Sequence, residues 1–192
     1  MIDRDGVAGL TMRKLGAEIG ADPMAIYHYL PNKAALFDGI VEIIWAGLEV
    51  DTMDPAQPWT ELAAVAMRRF RNTLRRHPAA VPIVGTRPAI TPAVLKVFDT
   101  SLGFLTAAGL QPDEAIALMN CLAAFTIGHL LADVSDPVGG QGRAPQDIYA
   151  ALSAEQFPHL HAALTGSYLY DPNDQFEQGL SALICGWSVR RS

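Results

Sequence analysis

The sequence predicts an all-α protein. Apolar side chains recur every three or four residues through most of its 192 residues, which is the period of an amphipathic helix. No segment combines strict apolar–polar alternation with flanking turn residues, the pattern that indicates a strand. Half of the residues are hydrophobic and only 18% are charged, so the chain can bury a sizeable core. We expect roughly nine or ten helices.

A first clear helix is expected near the N-terminus. Thr11 is suited to cap it, because a threonine oxygen can accept a hydrogen bond from an amide of the first turn. Met12, Leu15 and Ile19 then form one apolar side. Gly20 follows at the position where helices commonly end in a left-handed residue.

A second, shorter helix and then a longer one follow at once. Asp22 is a good N-cap and Pro23 suits the first position of a helix. Pro31 breaks this helix, and Asn32 is expected to cap a longer one that runs to about Leu48.

The remaining two-thirds of the chain continues as helices. Trp59–His77 is amphipathic, with an apolar side and an opposite, solvated side that carries Arg68, Arg69, Arg71, Arg75 and Arg76. Between Pro78 and Pro92 the prolines predict a short helix followed by a loop at "GTRPAITP". The further predicted helices are Ala93–Ala108, Pro112–Val134, Gln146–Leu152, Ala154–Leu164 and Asp174–Val189.

Charge and cysteine content limit the class of protein. The formal net charge of −6 argues against coating nucleic acid or an anionic membrane with the whole surface, although a local basic site remains compatible with it. Cys121 and Cys185 lie in apolar helical patterns without metal-binding spacing, so we expect free thiols in a reducing cytoplasm. Charged residues near the start argue against a signal peptide.

The segment from Ala115 to Ala132 is uncharged over a length close to that of a membrane span. Asn120, Thr126 and His129 interrupt it, and no aromatic or basic belt marks its ends. Because a helix that is apolar nearly all round is usually buried in protein, we expect no membrane span.

Enzyme motifs are weak. The sequence has no Gly-rich phosphate loop, no nucleophile elbow and no HExxH motif. His159 and His161 are two residues apart and would not face each other on a helix, so they predict no shared metal. His129 is either a core histidine with a satisfied hydrogen bond or a donor in a pocket. We therefore expect no catalytic site, no metal and no cofactor.

The first two helices and the "GAD" turn between them match a helix-turn-helix, whose second helix enters the DNA major groove. Met24 and Ala25 could contact thymine methyl groups. Hydroxyl and ammonium groups nearby could hold phosphates. The alternative is an ordinary helical hairpin whose tyrosines pack in a core.

At these residues the sequence resembles the tetracycline-repressor family of bacterial transcription regulators. The resemblance covers "LTMRKLGAEIGADPMAIYHYLPNKAALFDGIV" together with Gly6, four residues before it. It implies base-edge contacts from Arg13, Met24, Ala25 and His28. It also implies phosphate contacts from Thr11, Tyr27, Tyr29 and Lys33. The family's first helix is represented only by Ile2–Asp5, so we expect that helix to be largely missing and apolar surface to be exposed on Leu10, Leu15, Ile19 and Ile26.

The resemblance extends into the second part of the chain. "GTRP" at Gly85–Pro88 resembles a loop that lines the ligand pocket of the family's drug-binding members. "FTIGHLLAD" and "FEQGLSALICGW" resemble two helices that form a four-helix bundle between subunits. This implies a homodimer through helices 112–134 and 174–189. The ligand-pocket residues implied are Phe70, Ile83, Thr86, Arg87, Pro88, Ser101 and His129.

The pocket also departs from the family pattern. A histidine that holds a magnesium ion with the drug corresponds to Ile83, and a polar asparagine corresponds to Ala66. Because magnesium needs oxygen or nitrogen ligands, the resemblance implies a more apolar effector that binds without a metal.

The predicted organisation is a helix-turn-helix domain with its connecting helix at residues 1–48, and a ligand-binding and dimerisation domain at residues 49–192. The expected function is a cytoplasmic repressor that binds double-stranded operator DNA and leaves it when a small, largely apolar effector binds. Two alternatives remain open: a dimeric interaction protein that has lost DNA binding with its first helix, and a small-molecule enzyme that uses His129 and Asp133.

Overall fold

The computed structural model describes residues 1–88, 90–134, 152–165 and 171–189. All regular secondary structure in this described part is helical, which confirms the predicted fold class. The chain forms two compact units, one of Met1–Ser135 with Gln178–Ser192 and one of Asp136–Glu177. The predicted domain boundary after residue 48 stays a prediction.

Ten α-helices are seen in the described residues, with short 3-10 turns at Val50–Thr52 and Pro78–Ala80. In chain order they are α1 Ile2–Asp5, α2 Met12–Ile19, α3 Pro23–Tyr29, α4 Lys33–Ala46, α5 Trp59–Arg76, α6 Val81–Thr86, α7 Pro92–Ala107, α8 Pro112–Val134, α9 Pro158–Thr165 and α10 Pro172–Val189. In the larger unit, α8 packs against α5, α6 and α7, and α4 packs against α5, α6 and α7. The helix predicted at Gln146–Leu152 and the loop after Val134 lie outside the described residues, apart from Leu152.

The capping residues predicted for the N-terminal helices are confirmed. Thr11 Oγ1 accepts a hydrogen bond from Lys14 N at 3.2 Å, and Asp22 Oδ1 accepts one from Met24 N at 2.7 Å. Between the two helices, Gly20 has φ +67°, which a glycine adopts at little cost. Asn32 Oδ1 caps α4 by accepting from Ala35 N at 2.9 Å. Local sequence therefore sets the turn between α2 and α3 and the start of α4.

The expected exposure of apolar surface in this module is wrong for two of the four residues. Leu10 and Ile26 are only 3% and 6% exposed, and Leu15 is half-buried. Ile19 is exposed, as expected. The reason is that α2 and α3 pack on each other, which buries Ile26 of α3.

Helix α5 has the predicted apolar side, with Leu62, Met67, Phe70 and Leu74 buried. Arg71 was expected on the solvated side, and that prediction is wrong, because its exposure is 6%. The reason is helical geometry: Arg71 follows Met67 by four residues and therefore lies on the same side of the helix.

Helix α8 forms the centre of the larger unit. Its buried side carries Ala115, Leu118, Leu122, Thr126 and Leu130, spaced three to four residues apart. By length and composition α8 is one helix of the described chain that could cross a membrane. Its packing on three other helices accounts for that composition equally well, as expected for the centre of a helical domain.

Candidate functional site

The eight predicted DNA contacts all lie on the exposed surface of the N-terminal helices. Met24 and Tyr29 are 76% and 81% exposed, and Tyr27 is 46% exposed. The ring of His28 meets that of Tyr29 edge to face, with centroids 5.3 Å apart. Large apolar and aromatic side chains are rarely left in water on one short helix without a partner to meet them. The surface of α3 thus has the composition of a binding surface; the role of each residue stays a prediction.

Polar contacts join the segments that flank α3 to one another. Arg4 of α1 pairs with Glu18 of α2, with Nη2 and Oε2 3.0 Å apart, and this hydrogen bond lowers the pKa of the Glu18 carboxyl. Lys33 Nζ donates to Val7 O at 3.4 Å and lies 5.4 Å from the centre of the Phe37 ring. The first of these contacts ties α1 to α2, and the second ties the start of α4 to the segment before α2.

A cavity of about 290 Å³ lies in the larger unit. This is near the lower end of the usual range for ligand pockets. Its walls come from α4, α5, α6, α7 and α8 and from the segments after α4 and α6. They consist mainly of aliphatic, aromatic and thioether side chains, including Trp45, Leu48, Met53, Leu62, Met67, Phe98, Phe104, Met119 and Leu122.

Four lining residues carry hydrogen-bonding side chains, namely Trp45, Arg87, Ser101 and Asn120. The guanidinium of Arg87, just after α6, pairs with Asp38 on α4: Nε donates to Oδ1 at 3.0 Å, and Nη2 donates to the same oxygen. Ser101 Oγ donates its hydrogen to Val97 O at 2.8 Å, so the hydroxyl can act toward a ligand only as an acceptor. The cavity is therefore apolar, with few polar groups.

Two of the seven predicted ligand contacts, Arg87 and Ser101, line this cavity. Phe70 does not, because it is fully buried behind Trp45, with the two rings stacked 4.5 Å apart. Thr86 and Pro88 are exposed to solvent, and Thr86 Oγ1 donates to Pro82 O within its own helix.

The other two predicted contacts are Ile83 and His129, and neither lines the cavity. Ile83 is buried in α6. It offers no metal-binding atom, so the site does not fit the magnesium ion of the family pattern. Among the described residues no group of three or more His, Cys, Asp and Glu could hold a metal.

His129 lies on α8 about 9 Å along the helix axis from the last cavity residue of that helix, Ala123, at 1.5 Å per residue. Burial lowers the pKa of its imidazole, and the positive charges of Arg71 and Arg75 lower it further. Asp133 acts in the opposite direction. Desolvation thus dominates at His129, which favours the neutral ring.

Sequence reasoning missed several cavity residues. Trp45 lies in the last turn of α4 and Leu48 just after it, in a segment that the sequence assigned to the DNA-binding domain. The spacing of Val41, Trp45 and Leu48 nevertheless marks one buried side of this segment. Asn120 stood out as a polar residue in an apolar helix. That interruption was the available signal, since a polar side chain in such a helix often serves a site.

Both parts of the chain match known protein families. Residues 1–40 match the profile of bacterial regulatory proteins of the tetR family, and residues 53–191 match the tetracyclin repressor-like C-terminal domain. Tetracycline repressor protein class A from transposon 1721 of Escherichia coli is 30% identical over 193 residues, covering 100% of this chain and 87% of that protein.

Solved structures of known regulators have a fold similar to that of this chain. ActR from Streptomyces coelicolor in complex with actinorhodin superposes with a TM-score of 0.81 at 25% identity, covering 98% of this chain and 91% of that chain. A possible TetR family regulator from Streptomyces coelicolor A3(2) gives 0.77 at 28% identity, covering 98% and 93%. The chain belongs to the tetracycline-repressor family and is a ligand-responsive, DNA-binding transcriptional regulator.

Proposed function

We propose that this protein is a homodimeric repressor that binds a palindromic operator through α3 and is released when a largely apolar small molecule enters the cavity. The observation that carries this proposal is the position of α4. Three residues separate this helix from α3, it holds Asp38 against Arg87, and its last turn places Trp45 in the cavity wall. A ligand that shifts α4 therefore shifts the recognition helix with it.

The exposed surface of α3 supports the DNA-binding step. Arg13, Met24, Ala25 and His28 are proposed to contact base edges in the major groove. The phosphate contacts are proposed for Thr11, Tyr27, Tyr29 and Lys33. A local site of this kind is compatible with the net charge of −6, because phosphate binding depends on charge near the duplex.

Exposed stripes of small and apolar residues on α8 and α10 support the homodimer. On α8 the exposed side carries Ala117, Ala124, Gly128 and Leu131, and on α10 it carries Ala182, Cys185, Gly186 and Val189. Small residues at this spacing allow helices to approach closely across a two-fold axis. A monomer in light scattering at micromolar concentration would contradict the proposed four-helix bundle.

Effector binding acts on DNA affinity by population shift, so the ligand must bind the released conformation more tightly than the operator-bound one. No step of this cycle is catalytic. The protein is proposed to act in the cytoplasm, where its operator is accessible.

Fluorescence anisotropy with labelled upstream intergenic DNA tests the proposal at moderate salt, with scrambled DNA of equal length as competitor. Tyr29→Ala is expected to weaken operator binding by about tenfold, the value of one hydrogen bond to a charged phosphate. Ile43→Ala is the matched control, because Ile43 is also exposed, at 69%, but lies on α4 outside the recognition helix. No preference for the upstream DNA over the scrambled DNA would refute the DNA-binding proposal.

A further inference from the structure

The charges around the cavity point to a narrower class of effector. We propose that the ligand is an aromatic acid, with a flat apolar ring system and one carboxylate or similarly acidic oxygen group that binds Arg87. This inference rests on the proposed role of the cavity as the effector site. Among the described residues that line the cavity, Arg87 is the only one with a charged side chain.

The guanidinium of Arg87 has donors to spare. Its hydrogen bonds within the described chain come from Nε and Nη2, and both go to the single oxygen Oδ1 of Asp38. Nη1 donates to no group in the described residues. The Arg87 side chain as a whole is 26% exposed, so it is partly shielded from bulk water. A fixed cation with unused donors in an apolar cavity favours an anionic oxygen, because charge-assisted hydrogen bonds are about twice as strong as neutral ones.

A cationic ligand is disfavoured at the same place. It would bring a second positive charge against Arg87 in an environment that is mostly apolar, and no acidic residue lines the described cavity. Asp38 balances Arg87 from α4 but is not itself in the lining.

The body of the ligand is expected to be flat and aromatic. Trp45 and Phe98 meet edge to face with ring centroids 4.8 Å apart, and Phe104 adds a third ring to the walls. Aromatic surfaces favour offset or edge contacts with another ring. Met53, Met67 and Met119 complete the lining, and thioether side chains adapt to the outline of such a ring system.

The acidic group of the ligand also accounts for release of the protein from its operator. When a ligand carboxylate binds Nη1, two anions share one guanidinium, and the hold of Arg87 on Asp38 weakens. Since Asp38 lies in the first half of α4, this loosens the start of that helix from the end of α6. The ligand then favours the conformation in which α4, and α3 before it, are displaced from their operator-bound position.

The test compares anthracene-2-carboxylate with anthracene-2-carboxamide, which has a similar shape but no charge. Ligand affinity is measured by the shift in melting temperature, and operator release is measured by anisotropy. The wild type is expected to bind the acid at least about tenfold more tightly than the amide. Arg87→Gln should abolish this preference while leaving amide binding unchanged.

Asp38→Asn is the matched control for the ion pair. It removes the negative charge from the same ion pair but keeps the guanidinium, so it should bind the acid as well as or better than the wild type. Equal affinity of the wild type for acid and amide, binding of neither probe, or an acid preference that survives in Arg87→Gln overturns the proposal. If one of these three results is found while the unliganded protein still prefers its operator, only the proposal of an aromatic acid as ligand is refuted. If the unliganded protein shows no operator preference at all, the proposed function is refuted as well.

Discussion

Arg69 connects the end of α4 to the helix that forms one wall of the cavity. From α5, its Nη1 donates to Leu48 O at 3.1 Å, to Glu49 O at 2.9 Å and to Thr52 Oγ1 at 3.0 Å. Glu49 has φ +49°, an uncommon conformation for a residue with a side chain. We therefore expect Arg69→Met, which keeps an unbranched apolar stem but removes the donors, to loosen the connection between α4 and α5.

The size of the effect follows from the geometry. Nη1 carries two hydrogens, so at most two of the three contacts are full hydrogen bonds at one time. A hydrogen bond with a charged partner contributes roughly 1.5–3 kcal/mol, but the side chain is 33% exposed and water replaces part of this in the variant. The expected loss in the free energy of unfolding is about 1–2 kcal/mol, which lowers the melting temperature of a chain of this size by about 2–8 °C.

Urea denaturation followed by circular dichroism measures this loss. Arg76→Met is the control, because Arg76 is exposed on the last turn of the same helix. Its removal is expected to cost about 0.5 kcal/mol or less, through its interaction with the helix dipole. If Arg69→Met and Arg76→Met differ by less than about 0.5 kcal/mol, the reasoning about the Arg69 contacts is refuted.

Three further substitutions test other parts of the molecule. Burial lowers the folded-state pKa of His129 below its ordinary value of about 6.5, so unfolding takes up a proton near this pH. The free energy of unfolding therefore falls as the pH drops below that value. His129→Gln should reduce this fall between about pH 7.5 and 5.5, measured by urea denaturation. Thr126 Oγ1 is fully buried and donates to Leu122 O at 2.9 Å, a carbonyl of its own helix, so Thr126→Val should change the free energy of unfolding by less than about 1 kcal/mol. Lys33→Ala should reduce the salt dependence of operator binding by about one unit of slope, measured by anisotropy at several salt concentrations, and an unchanged slope would show that Lys33 does not contact a phosphate.

The elements that the sequence predicted well depend on local chemistry. Thr11, Asp22 and Asn32 each cap a helix as expected, because a side-chain oxygen reaches an amide only two or three residues away. The apolar side of α5 was also predictable from its period. The limits of these helices could therefore be found without knowing what packs against them.

The features that were missed depend on contacts between distant parts of the chain. Arg87 and Asp38 are 49 residues apart, and no local pattern indicates that they pair. Trp45 was expected to belong to the connecting helix of the DNA-binding part, yet it stacks on Phe70 and lines the cavity. Arg71 looked like a surface residue until the width of the buried side of α5 was known. Each of these depends on tertiary packing, and the first two require α4 to pack against α6 and α5.

A second contact joins the N-terminal helices to the segment between α5 and α6. Asp3 of α1 accepts a hydrogen bond from Ala79 N at 3.2 Å through Oδ1, and its Oδ2 lies 3.0 Å from His77 Nδ1. Together with the Arg87–Asp38 pair and the packing of α4 against α5, α6 and α7, it fixes the orientation of the N-terminal helices. On the proposed mechanism, a ligand that weakens the Arg87 contact leaves the contacts of Asp3 in place. We therefore expect α3 to rotate about α1 and not to move away from the rest of the protein as a whole.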